Sequence, residues 1–561
     1  MLELEGSLTE RPSPFAWLTG DTSPTLRSVI DAIDEAANDR SMDGLVVRLK
    51  DAALNTAQIE ELGQAMDNFR ATGKKIHIFA EFYMGQEILI SSFADEAIMQ
   101  SGGATLFTGL HMEEMYLADM FAWAGIEPDY IQVGDYKGAS EAYMNAEPSP
   151  AWDAHLDSFL DSMYETMRGH IMSGKDMSGA ELDDAMRTAF LGSGSAAIES
   201  GLIDATVDLP LLEAHLADQY GSEIEWVEVE PEGAESQIDT SNPFAMFSIL
   251  SSTPDYTPTR PTIAVLHIDG VIMDGDSQPA GFLGQGGSVG SRTIRNTIET
   301  IRDEDLIKGV VVRVNSPGGS AIASEVMWQG LQRLAETKPV WVSVGSMAAS
   351  GGYYIAVGGD KIYANPSSIV GSIGVVGGKL ATKGLMDKVH VNVVERSRGP
   401  IAGIMSATAP WNETERQVVR EAMAETYEQF VGRVTTARPN VDPSKAAEGR
   451  IFVGSDALEL NMIDEIGTLA DAVGDLAEAQ GLSRYDIMDY PGPKGFEEFI
   501  EESFGGLIQS PAVSIELPLA AMIEKAVGPH AWPAVRDGIN AMALMRDRHV
   551  LLTSPRVLIF R

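Results

Sequence analysis

Cysteine is absent from all 561 residues. That excludes disulfides, thiolate nucleophiles and Cys-based zinc or iron–sulfur centres. Basic side chains are scarce, with 40 Lys and Arg against 82 Asp and Glu, a net charge of −42. Nucleic-acid binding needs clustered cations on phosphate, and adhesion to anionic lipid needs a basic patch, so both classes are disfavoured. Lysine is scarcer still, 14 residues against 26 arginines. No apolar run reaches the roughly 18 residues of a spanning helix. No secretory leader opens the chain, because Met1–Gly6 already alternates as a strand does. The expectation is either a cytoplasmic protein or one whose N-terminal membrane anchor is missing from this chain. What is present is globular: 44% of residues are apolar, and the length suits several domains with their own cores. The acidity favours solubility and fits life in salt, which screens self-repulsion.

The chain repeats itself. Gly44–Leu49 (GLVVRL) matches Gly309–Val314 (GVVVRV) at an offset of 265, and Phe93–Ile98 matches Gly358–Tyr363 in pattern. Gly201–Asp204 echoes Asn461–Asp464 at an offset of 260. Residues 1–220 and 261–480 therefore read as two copies of one domain. An acidic, proline-bearing linker, 221–260, joins them, and 481–561 is a C-terminal extension without a counterpart. Within each copy short apolar runs alternate with amphipathic stretches. Strand Val310–Val314, helix Ser320–Glu336 and strand Val340–Val344 are one example. That order predicts an α/β fold of mostly parallel sheets with covering helices, and ligands at the carboxyl ends of strands.

Two loops of the second copy stand at such ends. Asn315-Ser316-Pro317-Gly318-Gly319-Ser320 carries adjacent glycines, whose N–H groups can line an oxyanion hole or simply form a tight turn. Gly345–Tyr354 (GSMAASGGYY) sets Ser350 among small residues before a helix, as a nucleophile or as a helix cap. None of the nine histidines lies in a Gly-x-Ser-x-Gly or His-Glu-x-x-His context, so a Ser–His–Asp triad is possible in space but unsupported in the sequence, and the remaining precedent for a base is a lysine kept neutral by burial. No metal or cofactor is expected. The offset of 265 sets Gly85 opposite Ser350 and Ala52-Ala53-Leu54 opposite Pro317-Gly318-Gly319, so the first copy has neither nucleophile nor glycine hole. Conversely Lys137, in Val133–Glu141, faces Ala402 (or Ile401 after a slip of one). Each copy has lost the other's half. This predicts one composite site retained after duplication.

These motifs, with Gly371-Ser372-Ile373-Gly374, resemble the signal peptide peptidase A family in its long, duplicated form (protease IV), of the Clp-protease/crotonase fold. The resemblance covers about residues 1–480. It implies a serine peptidase with Ser350 as nucleophile, Lys137 as general base and Ser372 hydrogen-bonded to that lysine. The N–H groups of Gly318, or Gly319, and of Ser350 would form the oxyanion hole. Short members keep Ser and Lys some fifty residues apart in one domain; residues 85 and 137, like 350 and 402, are 52 apart. The resemblance further implies remnant signal peptides as substrates, a bowl-shaped homo-oligomer (a tetramer), and a place at the periplasmic or other extracytoplasmic face of the membrane. In the helical segment Trp411–Val434, Val419, Met423, Tyr427, Phe430 and Val434 form one stripe facing the home domain, with Val418 off it as a candidate subunit contact. The rival readings are a crotonase-type acyl-CoA enzyme, a non-catalytic scaffold of the same fold and a single-copy phage-type processing protease.

Overall fold

Val310–Val314 is apolar at every position but Arg313, and all five residues are buried, as a parallel strand covered on both faces requires. The computed structural model describes residues 1–14, 23–192, 194–231, 256–278 and 287–494, and the backbone of 551–553. Most of the expected linker and of the extension lies outside the described residues.

The first repeat builds a five-stranded parallel sheet from β1 (Leu2–Ser7), β2 (Gly44–Ala53), β3 (Lys75–Ala80), β4 (Glu96–Gln100) and, after β5 (Glu127–Val133) has left for another sheet, β6 (Ala205–Val207). The second repeat opens with β7 (Thr262–Asp269), β8 (Val271–Met273) and β9 (Ser288–Gly290). Then follow β10 (Ile307–Ser316), β11 (Gly318–Ser320), β12 (Val340–Ala349), β13 (Lys361–Ala364), β14 (Ile369–Gly371), β15 (Val375–Ala381), β16 (Ile451–Val453), β17 (Glu465–Ile466) and β18 (Asp486–Tyr490). Its main sheet runs β16-β14-β12-β10-β7-β18, with β13 beside β12, and is parallel except for the β14–β16 pair. β18, from the expected extension, is the edge strand of this sheet.

Strand β12 runs five residues beyond the expected Val344. Its first half pairs with β13, whereas Met347–Ala349 pairs with β14, so a change of neighbour keeps it extended up to Ser350. The helix before it, Ala321–Ala335, begins where the sequence placed it, with Ser320 Oγ accepting the Ala323 N–H at 3.2 Å. In the helix Glu413–Ala437, Met423, Phe430 and Val434 are buried, Val419 and Tyr427 pack beside them, and Val418 stays exposed.

Several connections weld the repeats. β5 pairs antiparallel with β15 along its whole length, from Glu127↔Ala381 to Val133↔Val375. The helix Pro150–Lys175 joins both cores: Trp152, Leu156 and Phe159 pack on Ile369, Ile451 and Val453 of the second repeat, and Met167 and Ile171 pack in the first. Buried Arg313 on β10 donates to Glu10 (2.8 Å) and Glu61 (2.6 Å) of the first repeat and to Ser343 Oγ (2.9 Å). A buried guanidinium so compensated is costly to unpair. A third sheet runs β5-β15-β19-β11-β8-β9, in which β19 is Leu551–Thr553, an isolated piece of the tail lying between β15 and β11.

Candidate active site

Ser350 terminates β12 at φ 55°, ψ −115°, a left-handed conformation that a non-glycine residue adopts only under constraint from its surroundings. Its hydroxyl does not cap the helix Gly351–Ala356 that follows. Instead Ser350 Oγ lies 2.8 Å from Lys137 Nζ, across 213 residues of sequence. Lys137 Nζ also donates to Ser372 O at 2.8 Å and reaches Ser372 Oγ at 3.0 Å. All three residues are fully buried. Among the described residues no carboxylate pairs with Lys137, and burial alone holds its pKa well below the ordinary lysine value. A neutral amine has two N–H donors and one lone pair. The two Ser372 oxygens take the donors, and the lone pair is left for the Ser350 hydroxyl.

Both repeats hold this lysine. Lys137 follows β5, and its loop is clasped by residues 447–451 of the second repeat: Tyr136 N–H donates to Glu448 O at 2.9 Å. The clasp is backbone against backbone, and Gly449 permits it. At φ +93° a Cβ there would fall 2.4 Å from Lys137 Cα. The same segment holds Ser372, at φ 54°, through Ser372 N–H to Arg450 O at 2.5 Å.

One expectation needs correcting. The Ser350 N–H donates to Gly371 O at 2.7 Å, and the Gly318 N–H to Ser316 Oγ at 3.1 Å, so neither is free for an oxyanion. The positive-φ turn at Ser350 directs its N–H toward β14. Gly319 and Gly351, the latter at the start of the helix, stand together: a Cβ on Gly351 would sit 3.2 Å from Gly319 N. Gly351 is the first residue of its helix, and helix starts leave their first N–H groups without intrahelical partners. Gly319 cannot carry a side chain, because its Cβ would meet Ile272 O at 2.0 Å.

At the corresponding place in the first repeat, Ala53, Leu54 and Gln86 line a cavity, and Gly85 stands in place of the nucleophilic serine. Gln86, next to Gly85, accepts the Leu54 N–H on Oε1 at 3.2 Å and donates from Nε2 to Ala52 O at 2.5 Å. Its carboxamide occupies the loop that faces Pro317–Gly319 in the alignment. The described histidines have other partners or none near the site. His77 and His215 bind Glu96, His170 binds Glu60, His267 binds Asp489 and His155 binds a backbone N–H. His530 and His549 lie outside the described residues. No cluster of three or more His, Cys, Asp or Glu among the described residues is arranged to hold a metal.

Residues 68–221 and 332–483 each match the profile of Peptidase family S49. The chain belongs to Peptidase family S49. It is similar to Protease 4 of Salmonella typhi, at 27% identity over 91% of this chain and 83% of that one. It is also similar to the chloroplastic serine protease SPPA of Arabidopsis thaliana, at 25% over 91% and 74%. A putative signal peptide peptidase SppA of Enterococcus faecium is 30% identical over 43% of this chain and 70% of its own length, as expected of a shorter relative matching one copy. Membership of S49 makes the chain a peptidase and removes the acyl-CoA reading. Two S49 matches in tandem also set it apart from single-copy processing proteases. Among the described residues no helix is long and apolar enough to cross a membrane.

Proposed function

We propose that this S49 peptidase is a serine endopeptidase with a Ser350–Lys137 dyad, acting on extended peptides such as remnant signal peptides. The observation that carries the reading is a buried lysine without a counter-ion, 2.8 Å from a buried serine hydroxyl. Neutral Lys137 takes the Ser350 proton as Oγ attacks the scissile carbonyl carbon. The N–H groups of Gly319 and Gly351 hold the oxyanion. Collapse breaks the C–N bond, and the Lys137 ammonium gives its proton to the leaving amine. A water then attacks the ester while Lys137 takes its proton; the proton returns to Ser350 Oγ, and the peptide acid leaves. Ser372 orients the amine throughout. A peptide as substrate is favoured by β19, where the chain's own residues 551–553 lie antiparallel to Gly318–Ser320, as an extended substrate would.

Ser350→Ala and Lys137→Ala should each abolish hydrolysis of a short peptide while preserving the fold, and the double variant should be no worse than either single one. A serine-directed covalent probe should label Ser350. Substantial turnover by Lys137→Ala would remove the dyad.

The working form is a homo-oligomer, and the repeat supplies the argument. The first repeat's arm, residues 117–146, covers the Ser350 face of the second. The second repeat's arm, at the same offset, leaves Val389, Val391, Val393 and Val394 exposed, the last at 76%. The Gly85 face of the first repeat leaves Phe82 (59%) and Met84 exposed, whereas their counterparts Met347 and Ala349 are half-buried and buried. A second copy laying its arm on this face would repeat the internal contact head to tail, and such contacts form a ring where the rotation closes. Four copies follow from the resemblance alone. Its place would be the extracytoplasmic side of the membrane; fractionation that leaves the native protein in the cytosol would count against that.

A further inference from the structure

We propose that His155 is a positioning residue for the dyad, setting the height of Ser372 against Lys137 from the opposite repeat. The inference rests on the Ser350–Lys137 reading.

Segment 447–451 is the piece of the molecule that touches both supports of the amine. Glu448 O and Gly449 hold the Lys137 loop, and Arg450 O holds Ser372. The segment has no length of regular structure to stiffen it before β16 begins at Ile451, which pairs with Gly371. A side chain from the first repeat reaches it at this point: His155, on the helix Pro150–Lys175, accepts the Ile451 N–H on Nε2 at 2.8 Å. The ring is fixed on three sides. Tyr136 meets it edge-on at 5.6 Å between centroids, Phe452 edge-on at 6.0 Å, and Trp152 at 6.2 Å. Tyr136 is the neighbour of Lys137, and the Arg450 guanidinium stacks 3.7 Å above the Tyr136 ring. One imidazole thus joins the lysine loop to the strand that carries the Ser372 partner.

The bond requires an unprotonated Nε2. Burial first, and the nearby Arg450 charge second, hold the His155 pKa down to about 4, so Nε2 stays an acceptor at pH values above that. Arg450 and Tyr136 are the titratable groups facing the ring, and neither is a carboxylate that would favour the imidazolium. The chemistry asks for an acceptor at this reach, not for a proton shuttle, and His155 does not touch the reacting atoms.

The test uses three variants of the full chain beside Lys137→Ala, assayed on a short peptide. His155→Phe keeps the ring and loses the acceptor. His155→Gln keeps an acceptor at the same reach and loses the ring. His155→Asn is polar but one carbon too short. The expected result is a fall in kcat of about tenfold for Phe and Asn, the scale of one buried N–H left unpaired, with KM unchanged. Gln should hold kcat within about threefold even if its melting temperature falls as far as that of Phe, since stability and positioning then separate. If His155→Phe does not fold, the comparison of Asn with Gln carries the same decision. Wild-type kcat in Phe or Asn, or equal losses in Gln and Asn, overturns the inference. If Lys137→Ala itself turns over substrate, the dyad reading falls instead, which separates the two failures.

Discussion

At the residue scale the decisive feature is a lysine that folding forces toward neutrality. Its pKa is lowered in the folded state and ordinary in the unfolded one. Between the two values the unfolded chain binds the extra proton, so stability rises with pH across that window and is lost as pH falls through it. Relative to Lys137→Met, which cannot titrate, the wild type should gain stability as pH is raised from 7 toward 10.5. The slope should be about 1.4 kcal/mol per pH unit inside the window. Calorimetry of both proteins across that range checks it, and parallel curves would mean Lys137 is charged in the fold. The same sign governs turnover, which should decline on the acid side as Lys137 takes a proton.

At the element scale, the proposed dyad rests on two backbones lying in contact. Gly449→Ala places a Cβ against Lys137 Cα in a segment that also needs a positive φ. The strain should cost about 1–3 kcal/mol. A displacement of the amine by about 1 Å should lower kcat by roughly a hundredfold. Gly432→Ala is the control, since its Cβ would meet nothing within 4 Å in the helix Glu413–Ala437. It should leave kcat alone and gain up to about 1 kcal/mol in helix stability. Thermal melts and peptide assays on the pair distinguish a local clash at the dyad from a general intolerance of substitution. Much of this scale was legible beforehand. The alternation of apolar runs and amphipathic stretches around Val310–Val344 gave strands and helix because period and burial agree there. The strand character of Gly345–Ala349 was not legible, because small residues carry little β signal and the pairing with β14 decides their conformation.

At the scale of the whole molecule, exposed valines on one arm and exposed Phe82 and Met84 on the first repeat are the two halves of one expected interface. Light scattering should give a mass several times 60.3 kDa, and Val394→Glu with Phe82→Glu should reduce it to the monomer. A wild-type protein that is monomeric at working concentration and fully active on peptides would remove the ring. The net charge of −42 belongs to this scale as well. Self-repulsion summed over the surface should relax in salt, so the melting temperature should climb between low and molar salt; a flat curve leaves the acidity as a solubility trait.

The sequence by itself determined which residues could take part. Ser350 and Lys137 stand out because duplication lets each copy be read against the other, and a reciprocal loss is visible without any coordinates. Composition had already removed thiols and disfavoured nucleic acid. Only the tertiary structure decided the rest, because it turns on distances between segments that the chain order keeps apart. The 213 residues between lysine and serine close to 2.8 Å through the β5–β15 pairing and the glycine contact at 449. The Ser350 N–H, free on paper, is taken by Gly371, and Gln86 binds the Leu54 N–H in the first repeat. Burial, which no single residue announces, is what lowers the pKa of the lysine.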